Sequence, residues 1–554
     1  MKHIMKYKRG YIAEVALGLM SLMIFLVSGC TKNFTSLNTP TNLVTESKIT
    51  NATLGAAFAD AEFYGLIGSV GAGWELMHEL HASIYSQIFT TTSSGFTTDQ
   101  FQEVPSWVDA GWQSFYSGPA TMVKFVEDYT AGHNMPVENA IAKIYSIPMY
   151  ERMTDFFGPI PFSQFGNGQT SVSYDSQQSV YESFFKILDS AVAVLQQNTS
   201  ATPFGTNDII YGGNVQNWIT LANSLRLRLA MRIVYADPTL AQQEAEKAVA
   251  AGVMTSNNQN ALILTTPNNL NYLTRWTYID PFCMSATQYS ILVGFNDPRL
   301  TAFWAQGGGR LGGTMGFNGV RNGLPVALKT SALRNGSSGC SFVSKQFLPI
   351  ADGGSNPKCI VMDAAEVYLL RAEGALRGWN MGGTAQDFYN AGITHSLQYW
   401  TNASAQDIQN YINSTATPVP VPNNGVVNQE FNTPAESNIT VQYEANAPFE
   451  TQLEQIITQK WLDFFLQPWE AWAERRRTGY PRGYAIIASL NPSIPVTAII
   501  RRMVYPPSEY SNNNAAVTKA VSTYLGGDNN TMTRVWWDQK PLSEYPDLSN
   551  TIVH

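Results

Sequence analysis

One segment, residues 454–481, limits the possible folds of this chain more than any other stretch of its sequence. Pro468 has no amide hydrogen and predicts a kink or a break near residues 466–467. Gly479 predicts the end of the helix, directly after three arginines that suit its negative end. The segment carries five bulky aromatic side chains on one helical face, which indicates a helix that packs in the core. The large apolar residues recur mostly three or four positions apart, on one broad helical face: Ile456, Ile457, Trp461, Phe464, Phe465, Trp469 and Trp472.

Helical periodicity continues through much of the remaining chain. The runs at residues 363–377 and 385–400 are separated by a glycine-containing turn, and small residues occur where the two helices would cross. Both features are typical of a tetratricopeptide-like hairpin. We therefore predict a mainly α fold in which such hairpins form a scaffold, with a large irregular, loop-rich portion for ligand binding. The helical runs cover residues 54–64, 136–157, 174–197, 215–232, 238–251, 363–377 and 385–400.

The N-terminal residues resemble the signal peptide of a bacterial lipoprotein. A positively charged start precedes an almost wholly apolar run, residues 15–27, that is shorter than a membrane span. Cys30 follows the sequence Leu-Val-Ser-Gly, with small residues at the two positions before it. We predict that a signal peptide, residues 1–29, is removed, that Cys30 carries lipid, and that residues 30–50 form a polar tether. An ordinary secretory signal with an incidental cysteine is the alternative.

The body of the chain, residues 51–554, is predicted to be a single domain. Loop-rich insertions are expected at about 85–110, 253–359 and 415–448, where turn-forming residues replace the helical pattern. No other apolar run in the sequence reaches membrane length. The mature protein is therefore expected to be anchored to a membrane by its lipid and not to span it.

The composition favours a neutral polar ligand. Charged residues make up 14% of the chain, well under the roughly 25% of typical soluble proteins, while aromatic residues reach 12%. The net charge is −8, whereas nucleic-acid binding needs a basic surface. Glycans or peptides suit such a surface better than polyanions do.

The cysteines permit one disulfide in the body of the chain. Cys283, Cys340 and Cys359 remain besides Cys30, and an exported location would allow pairing. A bridge between Cys340 and Cys359 would close a short loop. Because three cysteines cannot all pair, at least one is expected to be a buried thiol.

No metal or other cofactor is predicted. His78 and His81 are three positions apart on one helical face, a spacing that can hold a metal. A third ligand is not evident, so a polar helix face is the favoured interpretation. The sequence contains no nucleophile elbow and no phosphate-binding loop, so we predict a binding protein and not an enzyme.

Several runs resemble the SusD/RagB-like outer-membrane lipoproteins of Bacteroidetes. The first is Ile-Ile-Thr-Gln-Lys-Trp, residues 456–461, which is followed by Glu-Ala-Trp-Ala-Glu-Arg-Arg-Arg-Thr-Gly-Tyr-Pro, residues 470–481. The second is Trp-Ile-Thr-Leu-Ala-Asn-Ser-Leu-Arg-Leu-Arg-Leu-Ala, residues 218–230. The third is Ala-Glu-Val-Tyr-Leu-Leu-Arg-Ala-Glu-Gly-Ala-Leu-Arg-Gly-Trp, residues 365–379. The short run Asn296-Asp-Pro-Arg also matches a motif common in that family.

This resemblance implies a function and a partner. It implies a lipid-anchored outer-membrane protein, facing the cell exterior, that binds an oligomeric nutrient, usually a glycan. It also implies a SusC-like TonB-dependent transporter as partner, over which the lipoprotein sits as a lid. The residues after Cys30 lack the acidic cluster that often marks surface export in these bacteria, so the outward orientation rests on the resemblance alone.

The predicted ligand surface comes from the irregular regions 85–107 and 270–305. Flat aromatic faces and neighbouring hydrogen-bonding groups are what neutral sugar rings need. Burial in the core is the alternative for each chosen side chain. Other functions kept open are oligopeptide binding, a surface glycosidase and a protein scaffold in the same uptake system. The predicted ligand-binding residues are Tyr85, Phe101, Trp107, Trp276, Tyr278 and Trp304.

Overall fold

The computed structural model describes most of the chain, in two units. The contacts separate Met1–Leu54 from Gly55–His554, and of the first unit only residues 49–54 are described. None of the described helices is long and apolar enough to cross a bilayer. The described residues are 49–66, 74–169, 171–267, 269–271, 282–309, 312–330, 333, 339–422 and 433–552.

Helices form most of the regular structure in the described residues, which confirms the predicted mainly α fold. A π-helical turn, His78–Ala82, joins the second helix to the third. The helices are α1 Asn51–Leu66, α2 Trp74–Met77, α3 Ser83–Tyr85, α4 Pro105–Ser117, α5 Pro119–Gly132, α6 Pro136–Phe157, α7 Gln177–Gln196, α8 Val215–Arg232, α9 Pro238–Ala251, α10 Ala286–Gly294, α11 Arg299–Phe303, α12 Ala364–Leu376, α13 Ala385–Trp400, α14 Ala405–Ile412, α15 Phe449–Asp463, α16 Pro468–Thr478, α17 Pro507–Asn512 and α18 Asn514–Tyr524.

Helices α12 and α13 form the hairpin that their small residues predict. A Cβ atom on Gly392 of α13 would lie only 2.6 Å from Cγ of Leu369 in α12. The helices begin at capping side chains, since Asp363 accepts from the amide of Glu366 and Thr384 accepts from the amide of Asp387. Because a side chain at Gly392 would meet Leu369, the close approach of the two helices depends on a glycine at their crossing.

The segment at residues 454–481 lies in two helices and not one. Helix α15 ends at Asp463, a 3₁₀ turn covers Phe464–Leu466, and Pro468 is the first residue of α16. This confirms the break predicted at the proline, which is tolerated at a helix start because its missing amide has no partner to lose. Gly479 ends α16 with a φ of 85°, in the left-handed region. Both helices lie in the core, and the rings of Trp461 and Trp472 are fully buried.

The arginines of α8 make structural ion pairs, as the absence of a phosphate-binding loop predicts. Arg228 donates from Nε and Nη2 to the two carboxylate oxygens of Glu366, at 2.6 Å each. Arg232 pairs with Asp155 and with Glu470 of α16. These buried pairs fix α8 to α6, α12 and α16, and none of them opens onto a cleft described here.

Two short antiparallel strand pairs lie within the irregular regions. Strand β1, Phe89–Thr91, pairs with β3, Phe282–Met284, with Thr90 opposite Cys283. Strand β2, Ala261–Ile263, pairs with β4, Cys359–Met362. The first pair joins the loop region after residue 85 to the chain that follows residue 281.

The bridge between Cys340 and Cys359, which the sequence left open, is not formed in this structure. Cys283, Cys340 and Cys359 are all free and buried. Cys340 belongs to an apolar cluster that also contains Cys283, Val320 and Phe342. Cys359 lies in β4 opposite Ile263 instead, so the two sulfurs belong to separate parts of the core.

Candidate functional site

Three of the predicted ligand-binding residues lie in the core. Tyr85 is 5% exposed and packs against Trp472, with ring centroids 5.2 Å apart. Trp304 is 1% exposed, donates from Nε1 to Oε1 of Gln288 at 3.2 Å, and packs against Phe89. Phe101 is 7% exposed. These three rings are not exposed to a ligand as predicted, because the irregular segments fold back onto the helices and bury them.

The other three predicted residues have different outcomes. Trp276 and Tyr278 lie outside the described residues. Trp107, near the start of α4, is partly exposed. Its ring meets the partly exposed ring of Phe96 edge to face at 5.9 Å, and Phe96 stacks on Phe282 at 5.6 Å with 22° between the planes. We call Phe96, Trp107 and Phe282 the aromatic platform.

A buried ion pair holds the loop that carries Phe96. Lys329 donates from Nζ to the carbonyl of Phe96 at 3.1 Å and to Oδ1 of Asp99 at 2.8 Å. The amide of Gly323 donates to Oδ2 of Asp99 at 3.2 Å. Burial raises the pKa of Asp99 to about 6, and the lysine opposes that rise. The platform loop is therefore fixed by bonds to a distant part of the chain.

Of the two histidines singled out by their spacing, His81 packs against the platform and His78 does not. His81 packs edge-on to Trp107 with centroids 6.3 Å apart, and its Nδ1 donates to the carbonyl of Leu76 at 2.8 Å. Burial lowers the pKa of His81 to about 4, so the ring is neutral at neutral pH. His78 is buried against Trp469. The face that carries them is therefore core, and among the described residues no three His, Cys, Asp or Glu side chains are grouped to hold a metal.

The chemistry of the platform suits a neutral ring with an apolar face. Two aromatic rings are partly open to solvent, and the neighbouring histidine contributes no charge at neutral pH. Sugar rings stack on such surfaces through their C–H faces, while their hydroxyl groups take hydrogen bonds at the edge. Phe96 is absent from the predicted site residues. Its contact with Phe282 depends on the β1–β3 pairing, which no local pattern in the sequence reveals.

Besides the platform, the structure contains a concave feature of about 830 Å³, which we call the polar cleft. It lies between the turn that joins α10 to α11, the segment at residues 344–346, and the loop from α13 into α14. The sequence analysis did not predict it, although the Asn296-Asp-Pro-Arg motif, noted there only as a family resemblance, lies in one of its walls. Its lining residues are Phe295, Asn296, Pro298, Thr301, Ala302, Ser344, Lys345, Gln346, Trp400, Thr401, Asn402, Ala403, Asp407, Asn410, Tyr411 and Ser414.

Comparisons with known proteins identify relatives along most of the chain. The family model for SusD-like proteins, described as Susd and RagB outer membrane lipoprotein, matches residues 36–538. No curated protein gives a significant match.

Three solved structures illustrate the similarity. A chitin-binding SusD homolog from Flavobacterium johnsoniae is 33% identical, with a TM-score of 0.79 over 88% of this chain and 99% of that one. A SusD homolog from Bacteroides uniformis is 31% identical, with a TM-score of 0.77 over 89% and 100%. A structure described as a chitin-binding protein is 26% identical, with a TM-score of 0.70 over 88% and 100%.

Proposed function

The chain belongs to the SusD and RagB family of outer membrane lipoproteins, and we propose that it binds an oligomeric glycan outside the cell. On this proposal it delivers the glycan to a SusC-like TonB-dependent transporter in the same membrane. The observation that carries the proposal is the similarity, over 88% of this chain, to a chitin-binding relative. Oligomers of β-1,4-linked N-acetylglucosamine are therefore the first ligands to test.

The aromatic platform is the proposed contact surface for the glycan. Trp107 and Phe96 present partly exposed rings that meet edge to face, and the buried Phe282 stacks on Phe96. Asp99 and Lys329 hold this surface in place before any ligand arrives, which lowers the entropy lost on binding. Trp276 and Tyr278 remain proposed contributors to the same surface.

The lipid anchor belongs to this proposal. Cys30 is the proposed attachment site, with residues 1–29 as the removed signal and residues 30–50 as the tether. A Cys30→Ala variant should move from the membrane fraction to the soluble fraction. Protease treatment of intact cells should cleave the wild-type protein, and full protection would contradict an outward orientation.

Binding without hydrolysis is the proposed activity. The experiment is calorimetric titration of the purified protein with hexamers of β-1,4-linked N-acetylglucosamine, β-1,4-linked glucose and α-1,4-linked glucose, followed by chromatography of the recovered sugars. We expect binding of at least one hexamer and its recovery intact. Shortened products would favour the glycosidase alternative. Failure of all three sugars, with binding of an extended peptide of mixed sequence, would favour oligopeptide uptake.

A further inference from the structure

The polar side chains that line the polar cleft are mostly neutral hydrogen-bonding groups. Apart from one acid, Asp407, and one base, Lys345, its polar side chains are uncharged. Asp407 already accepts from Oγ of Ser404 at 2.6 Å, and this hydrogen bond lowers its pKa. The cleft therefore has little net charge and offers both donors and acceptors. The amides and hydroxyls are those of Asn296, Gln346, Asn402, Asn410, Thr301, Thr401, Ser344 and Ser414.

A tryptophan forms part of the cleft's lining, and a smaller hollow lies beside the cleft. Trp400 is 8% exposed and is held by a hydrogen bond from its Nε1 to Oδ1 of Asp463 at 3.1 Å. A smaller hollow of about 280 Å³ shares Trp400 and Gln346 with the cleft and reaches Tyr399 and Lys358. The two spaces thus share a tryptophan and an amide in their walls, so they lie next to each other on the protein.

A buried network fixes one wall of the cleft, and it explains the Asn-Asp-Pro-Arg motif. Arg299 donates to Oδ2 of Asp297 at 2.7 Å and to Oε1 of Gln459 at 2.6 Å. Tyr411 of α14, which also lines the cleft, donates to the same carboxylate of Asp297. Burial lowers the affinity of Arg299 for its proton, but the adjacent Asp297 outweighs this and raises the pKa of the arginine. The turn is therefore locked to α14 and α15 before a ligand binds.

The same network places Asn296 at the rim. Asn296 has a φ of 51°, in the left-handed region, which asparagine tolerates better than most residues. Its side chain is exposed and lines the cleft, while the adjacent Asp297 is 3% exposed. The motif thus combines a buried anchor, Asp297 and Arg299, with one exposed amide at the rim of the cleft.

We propose that the polar cleft is a second binding site, separate from the aromatic platform, for an extended neutral oligosaccharide. The class of ligand follows from the lining: neutral amides and hydroxyls match sugar hydroxyl and acetamido groups, and the near absence of charge disfavours polyanions and polycations. Its size lies within the roughly 300–1,000 Å³ of small-ligand sites. This proposal rests on the proposed function, because both assume a neutral glycan as ligand. Binding at the platform and binding at the cleft can nevertheless be tested separately.

The test compares two tryptophan substitutions on α14 in a protein whose platform is already weakened. Asn410 lines the cleft, and the adjacent Gln409 is also exposed but does not line it. Trp107→Ala alone, Trp107→Ala with Asn410→Trp, and Trp107→Ala with Gln409→Trp are each titrated with the three hexamers used for wild type. We expect residual binding in Trp107→Ala that falls at least about tenfold with Asn410→Trp and stays unchanged with Gln409→Trp. Equal thermal unfolding midpoints for the two double variants exclude a folding defect.

A second variant tests the motif without adding bulk. Asn296→Gly keeps the left-handed backbone accessible and removes only the amide, so on the Trp107→Ala background residual affinity should fall about three- to tenfold, the value of one hydrogen bond. The proposal is overturned if Trp107→Ala shows no residual binding, if Asn410→Trp behaves like Gln409→Trp, or if wild type binds none of the hexamers. Conversely, unchanged affinity in Trp107→Ala with a loss in Asn410→Trp would remove the platform and leave the cleft as the site.

Discussion

Arg477 and Glu373 form a two-pronged ion pair that joins α16 to α12. Nη1 and Nη2 of the arginine donate to Oε1 and Oε2 of the glutamate at 2.7 and 2.6 Å, and both side chains are fully buried. Nη2 also donates to Oε2 of Glu474 at 2.6 Å. Burial opposes the ionised form of Glu373, but Arg477 and Arg377 beside it hold the pKa of that carboxyl below its usual value. The arginines of the opening segment thus bind the scaffold together and do not face a ligand.

Breaking this pair should strongly destabilise the fold. Glu373→Gln keeps the shape of the side chain but removes the carboxylate that Arg477 and Arg377 share, so the buried Arg477 keeps only Glu474 as a charge partner. We expect the free energy of unfolding to fall by about 3–5 kcal/mol, measured by denaturant titration. The matched control is Asp128→Asn, which breaks the solvent-exposed pair with Lys124 and should change stability by less than about 1 kcal/mol. Equal losses in the two variants would contradict the structural role of the buried pair.

The pH dependence of stability should reveal His81. Its ring ordinarily takes a proton near pH 6.5, but burial lowers its pKa in the folded protein to about 4. Between these values the unfolded chain binds a proton that the folded chain refuses, so this residue makes stability fall as the pH is lowered from about 6.5 to about 4. Unfolding titrations at pH 7 and pH 5 measure the effect.

His81→Gln supplies the comparison for that prediction. Glutamine can still donate to the carbonyl of Leu76 but takes up no proton, so the drop in stability from pH 7 to pH 5 should be smaller in the variant. Asp99 acts in the opposite direction, because its raised pKa of about 6 makes lower pH stabilising through that group. The informative quantity is therefore the difference between variant and wild type, and an unchanged pH slope would count against a buried neutral His81.

The cysteines of the body should all be reduced and protected. Burial raises the pKa of Cys359 to about 12, and Cys283 and Cys340 also lie in the core. Alkylation followed by mass spectrometry should label none of the three in the native protein and all three after unfolding without reductant. Recovery of a peptide in which Cys340 is joined to Cys359 would contradict the separate positions of these residues.

The sequence predicts the scaffold well because its signals are local. Pro468 predicts the break between α15 and α16, and Gly479 predicts where α16 ends. The crowding of Gly392 against Leu369 agrees with the small residues of the α12–α13 hairpin. Each of these features depends on residues a few positions apart, or on two helices that follow one another directly.

The binding surfaces are harder to predict because they depend on distant pairings. Trp304 stands among turn-forming residues and Tyr85 ends α3, and no periodicity shows that the β1–β3 pair and α16 will cover them. Phe96 is placed by Lys329, more than two hundred residues away in sequence. The polar cleft likewise assembles Asn296, Gln346 and Asn410 from three separate stretches of the chain. Arg299, which anchors this cleft, belongs to the Asn296-Asp-Pro-Arg motif that is visible in the sequence.

The most direct test of the account is the affinity of Trp107→Ala for the oligosaccharide hexamer that wild type binds, measured by calorimetry. Loss of one stacking ring should weaken binding at the platform about tenfold, which corresponds to roughly 1.4 kcal/mol. The control is Trp379→Ala, since Trp379 is also partly exposed but follows α12 in the turn of the hairpin. We expect weaker binding in the first variant and wild-type affinity in the second. Wild-type affinity in Trp107→Ala would contradict glycan binding at the aromatic platform.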